Sequence, residues 1–194
     1  NGSIDVGNIS STFSNGISYE LWFKPNNTFD SSVSSPQALL VARPNQAEDV
    51  SLFLMQNSGK IRFQIWDSIA GYNSVYTNTD SWLANNWYHI IATYEGQTMK
   101  IYMNGVMENS ITYNLSPFNF SVGSLTIGDD PTNSGLWNFN GLIDEVRVWD
   151  IALSHQEIQA GISCNIANEL GLVGYWNFEE GTGTTAYDQT SNGN

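Results

Sequence analysis

A single cysteine, Cys164, occurs in 194 residues, so no internal disulfide can staple the chain and its stability must rest on a core or a bound ion. Basic residues are nearly as sparse. Six Lys and Arg stand against 19 Asp and Glu, a formal charge of −13, which opposes binding to nucleic acid or anionic lipid and makes cations the natural partners. No apolar run reaches the roughly 20 residues that span a bilayer, and no polybasic tract or signal peptide is visible, so direct membrane insertion is not expected. Only 13% of residues are charged, too few for a surface of solvated helices. Two His and one Cys give no zinc set, and no glycine loop followed by Lys is present to cradle phosphate.

What is present is aromatic and patterned. Seven Trp, nine Tyr and nine Phe, with 41% hydrophobic residues, suffice for a two-layer core. Stretches alternate with the two-residue period of half-buried strands. In 60–66 the inward set is Ile61, Phe63 and Ile65; in 18–24 it is Tyr19, Leu21 and Phe23, and Pro25 ends that strand. Tyr88 to Tyr94 and Met99 to Met103 flank Glu95-Gly96-Gln97 as a hairpin, and Asn104-Gly105 turns the second of them into a strand beginning at Val106. Further strands are predicted at 39–42, 51–55, 124–128, 142–149 and 172–178, while 26–36 and 131–138 read as loops anchored by Phe29, Leu136 and Trp137. Ser154-His155-Gln156-Glu157 is a capping box, so one short helix is predicted near residues 155–160, ending at Gly161.

Three segments carry a family resemblance. Glu20-Leu21-Trp22-Phe23-Lys24-Pro25 follows the opening Ser3 to Gly7; Trp87-Tyr88-His89 leads to Tyr102-Met103-Asn104-Gly105; and Gly141-Leu142-Ile143-Asp144-Glu145-Val146-Arg147-Val148-Trp149 precedes Ser154. Together these resemble the laminin-G-like, pentraxin-like branch of the concanavalin A-like lectin/glucanase superfamily. The resemblance implies an all-β fold, a two-sheet antiparallel jelly-roll sandwich, formed by residues 1–194 as one domain, and the start at Asn1-Gly2-Ser3 predicts that this domain is excised from a larger multidomain protein. The segment with Leu172, Trp176 and Phe178 resembles the stretch that usually opens such a module, yet stands last here; an unpaired apolar strand would be a liability, which favours its closing the sandwich.

The resemblance further implies an extracellular, secreted or cell-surface binding module whose partner is a glycan or a cell-surface protein, alongside neighbouring domains of its own chain. A passive spacer, a protein-interaction module of a surface protein, or a glycoside hydrolase or lyase accessory domain are the alternatives. Glucanases of the superfamily place catalytic acids at alternate positions of one strand; here Asp144 and Glu145 are adjacent, as are Glu179 and Glu180, which aims each pair at opposite sheet faces and argues against an enzyme. An aromatic platform for sugars is expected from Trp66, Tyr72, Tyr76, Trp82 and Trp137, in or beside predicted loops. Trp87, His89 and His155 are assigned structural or solvated roles, and Arg147 and Glu145 are expected to pair with each other or with a neighbouring strand. Relatives commonly carry a structural calcium ion, Ca2+; the residues expected to ligate it are Glu179, Asp188, Asp144 and Glu145, with Asp129 and Asp130 as the second choice.

Overall fold

The structure is a computed structural model that describes residues 2–13, 16–43, 51–67, 71–113, 120–133, 136–161, 170–182 and 185–194; Cys164 lies outside them. Its strands are β1 (Ile4–Phe13), β2 (Ile17–Pro25), β3 (Gln37–Arg43), β4 (Ser51–Met55), β5 (Ile61–Asp67), β6 (Gly71–Tyr76), β7 (Tyr88–Glu95), β8 (Thr98–Met103), β9 (Val106–Thr112), β10 (Phe120–Ile127), β11 (Gly141–Trp149) and β12 (Leu172–Trp176), with one helix, α1 (His155–Gly161). They form two antiparallel six-stranded sheets, β1-β10-β3-β4-β5-β6 and β12-β11-β2-β7-β8-β9. This is the jelly-roll sandwich expected of the sequence.

Period-two alternation fills the space between the sheets. Tyr19, Leu21 and Phe23 of β2 face Phe53 and Phe63 of the first sheet, with Tyr19 edge-on to both rings at 6.3 Å. Each such side chain contributes about 1.5–3 kcal/mol by its burial. The hairpins close as the sequence predicts: Asn104 (φ 48°) and Gly105 (φ 77°) both take the positive φ that a two-residue type I′ turn requires between Met103 and Val106. β6 departs from expectation, because Tyr72 and Tyr76 lie on this edge strand rather than in loops.

Helix α1 begins where the capping box sets it. The Ser154 amide donates to Glu157 Oε2 at 2.7 Å and the Glu157 amide to Ser154 Oγ at 3.3 Å. Leu153 and Ile158 then pack on Ile91, Tyr102, Trp149, Leu172 and Tyr175, so the helix covers one end of the outer face of the second sheet and leaves the other end open. β12 pairs with β11 and completes that sheet. Its outer edge is covered by residues 187–194: the Gln189 amide donates to the Tyr175 carbonyl, and the Asn192 and Asn194 side-chain amides donate to the Val173 carbonyl. Asp188 holds this segment down. Its carboxylate accepts from the amides of Tyr175, Thr190 and Asn194, the Thr190 hydroxyl and the Asn194 side chain.

Candidate functional site

Two outer faces carry chemistry, one on each sheet. On the first, β5 buries Ile61, Phe63 and Ile65 and therefore turns Arg62, Gln64 and Trp66 outward; β6 likewise turns out Tyr72, Ser74 and Tyr76. Pairing sets Trp66 opposite Tyr72, Gln64 opposite Ser74 and Arg62 opposite Tyr76. Tyr72 is 59% and Tyr76 38% exposed. The Ser74 hydroxyl bonds Gln64 Oε1 at 3.4 Å, which places half-buried Ser74 and buried Gln64 between two aromatic ends. Register continues from Arg62 through Leu54 to Ala38, three strand spacings or about 14 Å from Tyr76, and Trp137 packs against Ala38, so four of the five expected aromatics border one face.

Trp82 does not belong with them. It is fully buried at the end of the sandwich, edge-on to Phe23 and Tyr88, with its indole N–H donating to the Gly59 carbonyl at 2.7 Å. The loop that carries it is pinned by backbone bonds between Trp82 and Phe29, which converts a loop tryptophan into core. Leu136, expected to anchor its loop, is 74% exposed instead.

On the outer face of the second sheet, where Asp144 and Glu145 were expected to ligate calcium, the structure shows a row of buried charges instead. Buried Glu20 accepts from His89 Nε2 at 2.9 Å and from Arg147 Nη1 at 3.0 Å. A carboxylate acceptor makes His89 Nε2 the protonated nitrogen. Arg147 also pairs with Glu145, as expected, stacks on the Tyr175 ring at 4.5 Å, and Tyr175 donates its hydroxyl to Glu145 at 2.8 Å. Trp22 lies between Asp144 on β11 and His89 on β7 and stacks on the imidazole at 4.8 Å. Beyond the cover of α1, Trp22, Trp87, Asp144 and Glu145 line an open pocket of about 230 Å³.

Asp144 and Glu145 were expected on opposite faces, and the structure corrects this. The pairing of β11 with β2 slips between Asp144 and Arg147, and Glu145 takes φ 53°, so a β-bulge turns both carboxylates to one pocket. The Asp144 carboxyl is raised above its ordinary value: burial is the main cause, Glu145 and Glu179 add to it, while the Glu145 amide and the Arg147 charge oppose it.

The residues expected to hold calcium are dispersed. Asp188 has both oxygens filled by five protein donors. Asp130 is buried against Arg43 at 2.6 Å and accepts from Thr132, and Asp129 accepts from the Asp130 amide. Glu145 is committed to Arg147 and Tyr175, which leaves Asp144 and Glu179 as neighbours without a third. Among the described residues no three acidic, His or Cys side chains form a group that could hold a metal, and calcium, which takes six to eight oxygens, does not fit this set.

The two six-stranded antiparallel sheets make this a jelly-roll sandwich of all-β type. A family model described as the concanavalin A-like lectin/glucanases superfamily, of laminin-G type, matches residues 1–159, and the chain belongs to that family. Among solved structures the chain is similar to a putative carbohydrate binding protein from Bacteroides ovatus (TM-score 0.72, 18% identity, 96% of this chain and 52% of that one). It is also similar to a pentraxin from Limulus polyphemus (0.63, 16%, 92% and 83%). Domain 4 of an extracellular GH43 arabinanase from Geobacillus stearothermophilus, solved with arabinotriose, is a third (0.63, 21%, 81% and 71%). At these identities the likeness is one of fold. Among curated proteins, mouse pappalysin-1 is 33% identical over 82 residues, 40% of this chain; the chain spans 5% of that protein's length.

Proposed function

We propose that this chain is a non-catalytic, extracellular carbohydrate-binding module whose ligand, a neutral oligosaccharide, lies along the outer face of β5 and β6. The observation that carries the reading is the cross-strand set Trp66–Tyr72 and Arg62–Tyr76, with Gln64 and Ser74 between them. Aromatic faces stack on the C–H face of a sugar ring, and the half-buried Ser74 hydroxyl and Arg62 guanidinium meet its hydroxyls, with buried Gln64 supporting Ser74 from behind. The two aromatic ends stand four residues apart along the strand, about 13 Å, enough for a short oligosaccharide rather than one ring. The similarity in fold to a putative carbohydrate binding protein and to an arabinotriose-bound domain supports the same reading. Catalysis is disfavoured at the Asp144–Glu145 pair, because Glu145 is engaged by Arg147 and Tyr175 and is not free as a nucleophile or base.

Titration calorimetry against a panel of neutral oligosaccharides that includes arabinotriose tests the reading. Each stacking ring contributes about 1 kcal/mol, so Trp66→Ala and Tyr72→Ala are each expected to weaken binding about fivefold without lowering the melting temperature. Absence of binding across the panel, or binding indifferent to both substitutions, would overturn it.

A further inference from the structure

We propose that the pocket bounded by Trp22, Trp87, Asp144 and Glu145, on the opposite sheet from the oligosaccharide face, binds a protonated primary amine. Its volume of about 230 Å³ suits a small head group rather than an extended chain. Two of its walls are indoles, whose faces attract cations. One already does so within the molecule: the Lys24 ammonium lies 4.9 Å from the centre of the Trp87 ring. The other two walls are acidic residues: Asp144 offers an ammonium charge and a hydrogen-bond acceptor, while Glu145, engaged by Arg147 and Tyr175, adds to the negative field.

Charge decides the sign of the ligand. Asp144 and Glu145 line the pocket and Glu179 lies near Asp144, against Arg147 and Lys24, three carboxylates to two permanent cations, so the pocket disfavours anions and gains by taking one more positive group. Calcium is the wrong cation, since indoles supply no oxygen ligand and Glu145 is already engaged. The walls are also fixed in advance. Glu145 is held by Arg147 and Tyr175, Trp22 by its stack on His89, and His89 by Glu20, so little side-chain freedom is lost on binding. Trp87, 40% exposed, is open to solvent, and α1 stops short of it.

The amine could be carried by a sugar or by a lysine side chain, and calorimetry with three probes separates these: D-glucosamine, N-α-acetyl-lysine amide, and N-acetylglucosamine, which keeps the first ring but lacks the charge. At a pH where the amines are protonated, at least one amine is expected to bind about tenfold or more tightly than N-acetylglucosamine, and the tighter amine names the source. Trp87→Ala and Asp144→Asn should each cost about tenfold or more, and Trp66→Ala nothing. Thermal melts report whether the variants fold, with Trp87→Phe in place of Trp87→Ala if that variant does not. The proposal is overturned if neither amine binds, if N-acetylglucosamine matches the tighter of the two amines, or if binding survives Trp87 and Asp144 substitution. Oligosaccharide binding on the first sheet does not depend on these residues, so the two readings fail separately.

Discussion

Asp188→Asn is expected to destabilise the fold by loosening the segment that covers the edge of β12. An asparagine can place its carbonyl oxygen where Oδ1 stands and keep the amides of Tyr175 and Thr190. Its NH2 then occupies the position of Oδ2, facing the Asn194 amide and the Asn194 side-chain NH2, two donors left against a donor; the Thr190 hydroxyl can rotate and adapt. Orphaning two partly solvated donors to a charged acceptor costs about 3 kcal/mol. For a domain of this length that lowers the melting temperature by about 6–12 °C. The pH dependence has a definite sign. Burial raises the Asp188 carboxyl, but the backbone amides of Thr190, Asn194 and Tyr175 outweigh it, so the folded value lies below 3.8. A depressed carboxyl contributes stability that is present above the unfolded value and lost as pH falls through the folded one. The gap between wild type and variant should therefore be constant from neutrality down to about pH 5 and close below 3.8. Thermal melts of both proteins at neutral and acid pH measure it. A shift under about 2 °C at neutral pH, or a gap that persists unchanged in acid, refutes the assignment of Asp188 as the clasp.

Removing a charge from the buried row should cost more than removing an exposed ring. Arg147→Met leaves Glu20 buried with His89 alone and frees Glu145, and is expected to destabilise by about 3–5 kcal/mol in denaturant titration; a loss under about 1 kcal/mol would show that solvent reaches Glu20. Chelator should leave the melting temperature unchanged, because Asp188 and Asp130 are satisfied by protein donors; a fall of several degrees, reversed by calcium, would reinstate a metal. Trp82→Phe, which loses the indole bond to Gly59 inside the core, should destabilise by about 1–3 kcal/mol with no effect on oligosaccharide affinity; unchanged stability would mean that this bond holds nothing.

The period-two pattern placed strands such as β2, β5 and β7 because their inward residues are large and apolar, as in Ile61, Phe63 and Ile65; the Asn104-Gly105 turn placed the start of exposed β9, and the capping box placed α1 by local hydrogen bonding alone. β6 escaped because its inward positions are Asn73 and Val75, so the alternation has one polar member; Asn73 is buried with its amide on the Gly71 carbonyl, a local bond that no sequence period reports. Trp82 was misplaced for the complementary reason. Its neighbours are polar and read as a loop, and only the long-range contacts with Phe29, Gly59 and Phe23 decide that the ring turns inward.

The largest difference is at Asp144 and Glu145, and it turns on one backbone angle. Strict alternation sends adjacent side chains to opposite faces, so the sequence argument against a carboxylate pair was sound for a regular strand. β11 is regular on either side: Ile143 faces Phe23 in register, and Arg147 faces Glu20. Between them the strand carries an extra residue, and the positive φ of Glu145, 53°, absorbs it. A non-glycine residue pays for that conformation with something on the order of 1 kcal/mol. The compensation is visible, since the same turn delivers the Glu145 carboxylate to Arg147 and to the Tyr175 hydroxyl while its amide donates to Asp144 at 2.9 Å. Arg147 and Tyr175 thus hold the bulge, and the bulge in turn sets two acids beside two indoles. The pocket is therefore a consequence of the buried charge row and not an independent feature. Glu145→Gly relieves the backbone but removes the clasp, whereas Glu145→Gln keeps an acceptor for both Arg147 and Tyr175. If the charge row shapes the pocket, the glutamine variant should retain its form, read as an unshifted Trp87 indole resonance, and the glycine variant should lose it. Equal behaviour of the two would mean that the backbone of β11 bends for a reason of its own.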